Sequence, residues 1–166
     1  VLRAEWKSGT LRPVRYLAGV FGVWFLFFGI SRLLFLAYHF GLFSSADSSV
    51  LWGILVSGSR MDASMAGYAS IFPFVIWLTS YFLPTRRFRL ILWGYTLFFM
   101  AFFAIMVAAD LEIFAQWGHR IDAAVLHYLA HPREAMASSG AAPLLLLSSL
   151  AFLQFVLGCS LWLLFF

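Results

Sequence analysis

An all-α integral membrane bundle is the fold class this sequence predicts, and three observations predict it. Of 166 residues, 63% are hydrophobic and only 11% charged, twenty are phenylalanine, and the mean hydropathy is +0.92. A water-soluble domain of that length needs far more polar surface. The apolar residues are gathered in runs of about twenty, the length that crosses a hydrocarbon layer about 30 Å thick. The basic residues collect at the ends of those runs. The net charge of +4 therefore speaks to membrane topology and argues against nucleic acid as a partner.

Residues 1–15 carry Arg3, Lys7, Arg12 and Arg15 against the single acid Glu5. An excess of Arg and Lys marks the cytoplasmic side, so this is a cytoplasmic N-terminus. Residues 16–40, "YLAGVFGVWFLFFGISRLLFLAYHF", form the first transmembrane helix, with Arg32 its one formal charge. At about 37 Å it is long enough to span with tilt. It is too long for a signal peptide and lacks a small-residue cleavage site, so it reads as an anchor.

Residues 41–64 return on the outer side. Their apolar core, Val50 to Val56, is too short to span and predicts an interfacial or re-entrant helix. The second transmembrane helix, 65–83, is free of charge and holds Pro73, where a kink is expected. Residues 84–89, "PTRRFR", place Arg86, Arg87 and Arg89 in a cytoplasmic loop. Residues 90–109 are the third span and 142–166 the fourth, with Pro143 near its start, where proline is tolerated. Val1 is not an initiator methionine and the chain stops inside the run "LWLLFF", so the sequence reads as a fragment of a longer protein. Cys159, the single cysteine, lies in an apolar run and offers neither a disulfide nor a cysteine zinc site.

The outer segment 110–141 gathers polarity. Between Asp110 and Glu134 lie six of the eighteen formal charges and three of the four histidines. On a helix beginning near Asp110, Ile113, Phe114, Trp117, Ile121 and Val125 share one face, while Glu112, Gln116, Arg120, His127 and His131 lie toward the other. That is an amphipathic helix on a membrane surface, which Gly118 breaks into two pieces and the "HP" pair at 131–132 ends. It is either a connector with solvated charges or a site that touches a substrate or partner. His127 and His131 stand at i and i+4, a ligand-compatible spacing, yet no HExxH or carboxylate pattern accompanies them, which leaves metal binding the weaker idea.

Arg60 and Asp62, beside the second span, each need a partner or lipid phosphate, and residues two apart on a helix do not face each other. Arg32 either snorkels to the headgroups or meets Asp62 or Asp110 inside the bundle. His39 reads as an interfacial residue. There is no GxSxG, P-loop or CxxC, and no cluster able to hold two metals around a nucleophile.

The order of these features resembles the membrane domain of bacterial lipoteichoic-acid-synthase-like proteins of the sulfatase and alkaline-phosphatase superfamily. The pieces that carry the resemblance are G-x-R-x-D ("GSRMD", 58–62) before the second span, D-x-E-x-F ("DLEIF", 110–114) after the third, and L-x-x-P-x-E ("LAHPRE", 129–134) before the fourth. The resemblance implies five transmembrane helices, of which this fragment holds four, followed by an extracytoplasmic catalytic domain. It implies transfer of phosphoglycerol or a related group from a membrane phospholipid, with a threonine nucleophile and a divalent metal, typically manganese, none of them within this chain. It places the protein in the bacterial cytoplasmic membrane with its N-terminus inside. In that setting Arg60, Arg120 and Arg133 attract headgroup phosphate, and Asp62, Asp110, Glu112, Asp122 and Glu134 pair with them or with the docked catalytic domain. The alternatives are a non-enzymatic membrane scaffold or transport component, and the membrane domain of a phosphoethanolamine transferase.

Overall fold

A computed structural model describes residues 11–43, 47–79, 85–121 and 143–166. Asp122, His127, His131, Arg133 and Glu134 lie outside them. The described chain is five helices and no strand: α1 (Leu11–Tyr38), the single turn α2 (Phe40–Phe43), α3 (Ser48–Thr79), α4 (Thr85–Trp117) and α5 (Leu144–Phe165). Four of them, α1, α3, α4 and α5, are long and apolar enough to cross a membrane.

The helices form an antiparallel bundle with α1 at its centre. In the most apolar window of α1, 39% is buried, against 17–22% for the other three. Val20, Val23, Trp24, Phe27 and Phe28 of α1 supply most of the main core, met by Ala66 and Ala69 of α3, Met100 of α4 and Trp162 of α5. Trp24 packs against Phe27, Phe28, Tyr95 and Phe103 with ring centroids 5.8–6.4 Å apart, mostly edge to face, the arrangement aromatic quadrupoles favour. The Tyr95 hydroxyl donates to the Ala69 carbonyl at 2.8 Å and ties α4 to α3.

Two smaller clusters mark the ends. Ile76, Phe88 and Leu92 pack with Tyr16 at one end, and Phe35, Ala108, Leu111 and Leu147 at the other. Charge divides between them. The Tyr16 end carries Arg15, Arg86, Arg87 and Arg89, all exposed, whereas all four described carboxylates, Asp47, Asp62, Asp110 and Glu112, lie toward the Phe35 end. Between Arg89 and Asp110 the charge-free stretch of α4 is about 30 Å long, the thickness of a hydrocarbon layer.

Two helices are longer than the sequence suggests. The segment expected to be a separate interfacial or re-entrant piece around Val50 to Val56 is the first part of α3, a continuous helix of 32 residues. Its start is set by Asp47, whose carboxylate accepts from the Ser48 amide at 3.1 Å and whose carbonyl accepts from Val50. Arg60 and Asp62 do not interrupt it, because a helix ends for want of backbone geometry or caps, and a charge removes neither. Pro73 is inside α3 and buried, within the continuous helix. Likewise no new helix begins near Asp110: α4 runs through it to Trp117 and stops where Gly118 takes φ 73°. Only glycine adopts that left-handed conformation without strain, and the Gly118 amide closes the last turn on the Phe114 carbonyl at 2.9 Å.

Candidate functional site

The reversal at Gly118 sends the chain back along α4 and brings Arg120 to Asp110. Arg120 donates to Asp110 Oδ2 through Nε at 2.8 Å and through Nη2 at 2.6 Å, while the Ile121 amide donates to Oδ1 at 2.9 Å. Both carboxylate oxygens are thus engaged. Asp110 is buried, its side chain 9% exposed, but that of Arg120 is 63% exposed. The guanidinium also lies 4.9 Å from the centre of the Phe35 ring, a cation–π contact that binds the end of α4 to α1. Glu112 stays on the surface and accepts from Gln116 at 2.9 Å, an i, i+4 pair.

One layer deeper, the structure settles the partner of Arg32. Its Nη2 meets Asp62 Oδ1 at 2.7 Å, both side chains 13% exposed, and its Nη1 donates to the Leu55 carbonyl at 3.1 Å. The pair joins α1 to α3. Gly58 makes it possible, because a Cβ there would sit 1.8 Å from Arg32 Nη1 and 1.9 Å from Cζ. Arg32 therefore faces the bundle and does not snorkel away, as an intramembrane charge with a carboxylate in reach should.

Arg60 belongs to neither group. On an α-helix it lies about 200° round from Asp62, so it faces away from α1, exposed and with no carboxylate partner among the described residues. Of the charges that sequence brought together as one surface, the structure joins Asp110 to Arg120 and Asp62 to Arg32, and sets Arg60 apart.

Three buried polar residues complete this half of the molecule. His39, next to the end of the first span, is buried within the bundle: its ring lies among Phe35, Phe114 and Tyr38 at 4.7–5.0 Å, and Nε2 has no hydrogen-bond partner among the described residues. The Gln154 amide nitrogen donates to the Ser31 hydroxyl, which donates to the Phe27 carbonyl at 2.8 Å and links α5 to α1. The one signal for Gln154 was an amide alone in a long apolar run. Among the described residues no three His, Cys, Asp or Glu side chains are grouped to hold a metal ion.

Fold and charge layers define a multi-pass membrane protein of the all-α class. No family model, no curated protein and no solved structure matches the chain.

Proposed function

We propose that this chain is the membrane-anchoring domain of a lipid-headgroup transferase of phosphoglycerol type, or a related sulfatase-like hydrolase, that holds an extracytoplasmic catalytic domain against its lipid donor. The observation that supports this reading is the locked reversal at the end of α4. A chain leaving a bundle at headgroup level is normally free to swing, but here Asp110, Arg120 and the Ile121 amide fix its direction. The chain beyond this reversal returns to the bundle as α5, so what the lock holds in place is Arg120 at the outer surface, where a headgroup or a catalytic domain that follows the last span would meet it, and positioning of that kind lowers a reaction barrier. The exposed face of Arg120 and the nearby Glu112 are available to a headgroup or a docked domain. The Tyr16 end, whose charges among the described residues are all basic, is the cytoplasmic one by the positive-inside rule, in a bacterial cytoplasmic membrane. The metal, manganese in this reading, belongs to the catalytic domain. Transport finds less support, since the described spanning helices are unbroken.

The test is phosphoglycerol release from phosphatidylglycerol vesicles by the full-length gene product with and without manganese. Arg120→Ala should leave insertion and abundance nearly unchanged. Transfer should fall about tenfold or more, the loss of a charge-assisted contact of about 1.5–3 kcal/mol in the productive complex. Lysine should restore part of it, through charge without the fork. Unaltered turnover at subsaturating lipid would reduce the reversal to a connector, and a gene product without metal-dependent transfer would remove the enzyme reading.

A further inference from the structure

The ion pairs of the acid-bearing end leave out a buried histidine. His39 is 7% exposed and stands at the turn where α1 ends, its amide bonded back to the Phe35 carbonyl at 3.1 Å and its own carbonyl accepting from Leu42 at 2.9 Å. The backbone on both sides thus holds its position. The imidazole fills a box of three rings, Phe35 and Tyr38 of α1 and Phe114 of α4, with centroids 4.7–5.0 Å away. Phe35 and Phe114, 4.9 Å apart, join the two helix ends. Inside the box Nε2 is buried and meets no hydrogen-bond partner among the described residues. A neutral imidazole bears that loss; an imidazolium, with a charge and two N–H donors to satisfy, does not.

The surroundings make the charged form worse. Phe35 also carries the Arg120 guanidinium, 4.9 Å from its centre, so His39 and Arg120 lie within about 10 Å of each other. Arg32 stands two turns before His39 on the same side of α1. Against these cations the nearby carboxylates are already committed, Asp110 to Arg120 and the Ile121 amide, Asp62 to Arg32. Glu112 differs. It lies toward the surface of α4, where it accepts from Gln116, and its charge reaches Tyr38, the neighbour of His39. Exposed His119 is turned to the Arg120 carbonyl, and exposed Asp47 accepts from Ser48 at the start of α3. α2 and the outer half of α5 carry no titratable side chain.

We propose that His39 is a pH-sensitive catch on the reversal: on gaining a proton its ring leaves the aromatic box toward Glu112, and Phe35 loses the packing that holds Arg120 and the end of α4 against α1. Histidine is the side chain that changes charge between pH 5 and 8, so the reversal tightens toward the upper end of that range and opens toward the lower. The open form holds one proton more than the closed one, and opening therefore rises by up to about tenfold for each unit of pH lost. The inference rests on the locked reversal and holds whether or not the chain anchors a transferase.

The test uses the whole chain in phosphatidylcholine nanodiscs. Hydrogen exchange at the Ile121 amide, divided by the intrinsic exchange rate at each pH, reads the opening of the reversal, and the ring-carbon shifts of isotope-labelled histidine read the proton on His39 in the same sample. Protection at Ile121 should fall by about tenfold or more from pH 8 to pH 5, with the midpoint at which His39 takes its proton. His39→Phe, which keeps a ring in the box and cannot titrate, should make protection level over that range, and His119→Gln should leave the fall in place. Glu112→Gln, which removes the acceptor outside the box, should move the midpoint to lower pH; an unmoved midpoint overturns the outward route. Level protection in the parent chain overturns the proposal. So does a fall that persists in His39→Phe or vanishes in His119→Gln, which would give the sensing to another group. Should His39→Phe fail to fold, a fall in the parent chain at a pH where His39 is still neutral overturns the proposal equally.

Discussion

The two arginine–aspartate pairs lie toward the same end of the bundle, yet they are held in opposite ways. Arg32 and Asp62 come from different helices thirty residues apart and are equally shielded, each 13% exposed. Asp110 and Arg120 are ten residues apart in one segment and unequally shielded, 9% against 63%. The inner pair is a cross-link between α1 and α3 in which Arg32 also donates to the Leu55 carbonyl and Asp62 lies within the field of Arg120. The outer pair is a local closure in which the aspartate is the fixed element, bonded to a guanidinium and a backbone amide, and the arginine is half in water. Loss of either partner should therefore be costly at the inner pair, while at the outer pair the cost should depend strongly on which partner is lost.

The largest effect is expected from Asp62→Leu. It strands Arg32 between two helices and should destabilise the bundle by about 3–5 kcal/mol, whereas the double change with Arg32→Leu should recover most of that loss. Reversible unfolding in lipid-detergent micelles gives the cycle, and equal costs for single and double variants would mean that the two charges are solvated separately.

Gly58→Ala comes next. Its methyl group displaces the guanidinium from Asp62 and Leu55, at about 1–3 kcal/mol. The same change should be nearly silent once Arg32 is alanine. A penalty that persists in that background would place the glycine's role in the helix backbone.

At the outer pair, Asp110→Ala should cost about 1.5–3 kcal/mol and speed hydrogen exchange at the Ile121 amide, which loses its acceptor. Arg120→Ala should cost about 1 kcal/mol or less, because that side chain is largely exposed. If both variants unprotect Ile121 to the same degree, the arginine holds the reversal and the aspartate follows.

The smallest effect belongs to Arg60→Gln, which should change the stability of the isolated chain by no more than about 0.5 kcal/mol, since the side chain is exposed and pairs with no carboxylate among the described residues. A larger loss would show a third pair.

The sequence by itself determined the membrane class, the four spans and the separation of a basic end from an acid-bearing one. Each is a property of local runs: twenty apolar residues demand lipid wherever they fall, and flanking arginines stay near water whatever the neighbours do. It also marked Gly118 as a breaking point, since the need for a left-handed turn is written in the residue type. Helix length was less legible. Polarity at Arg60, Asp62 and Asp110 resembled helix boundaries, but hydrogen bonding runs through charged residues as readily as apolar ones, so α3 and α4 continue past them.

Partnership was decided only by the tertiary structure. Whether Arg32 met Asp62, Asp110 or the headgroups depended on how α1 and α3 are rotated about their axes, and that rotation is set by Trp24, Phe27 and Phe28 of α1 packing against the small residues of α3 and the aromatic face of α4. The same rotation buries His39 and turns Arg60 outward. A linear pattern gives the residues of each face, but which face meets which neighbour is a matter of shape, and shape exists only once the helices have packed.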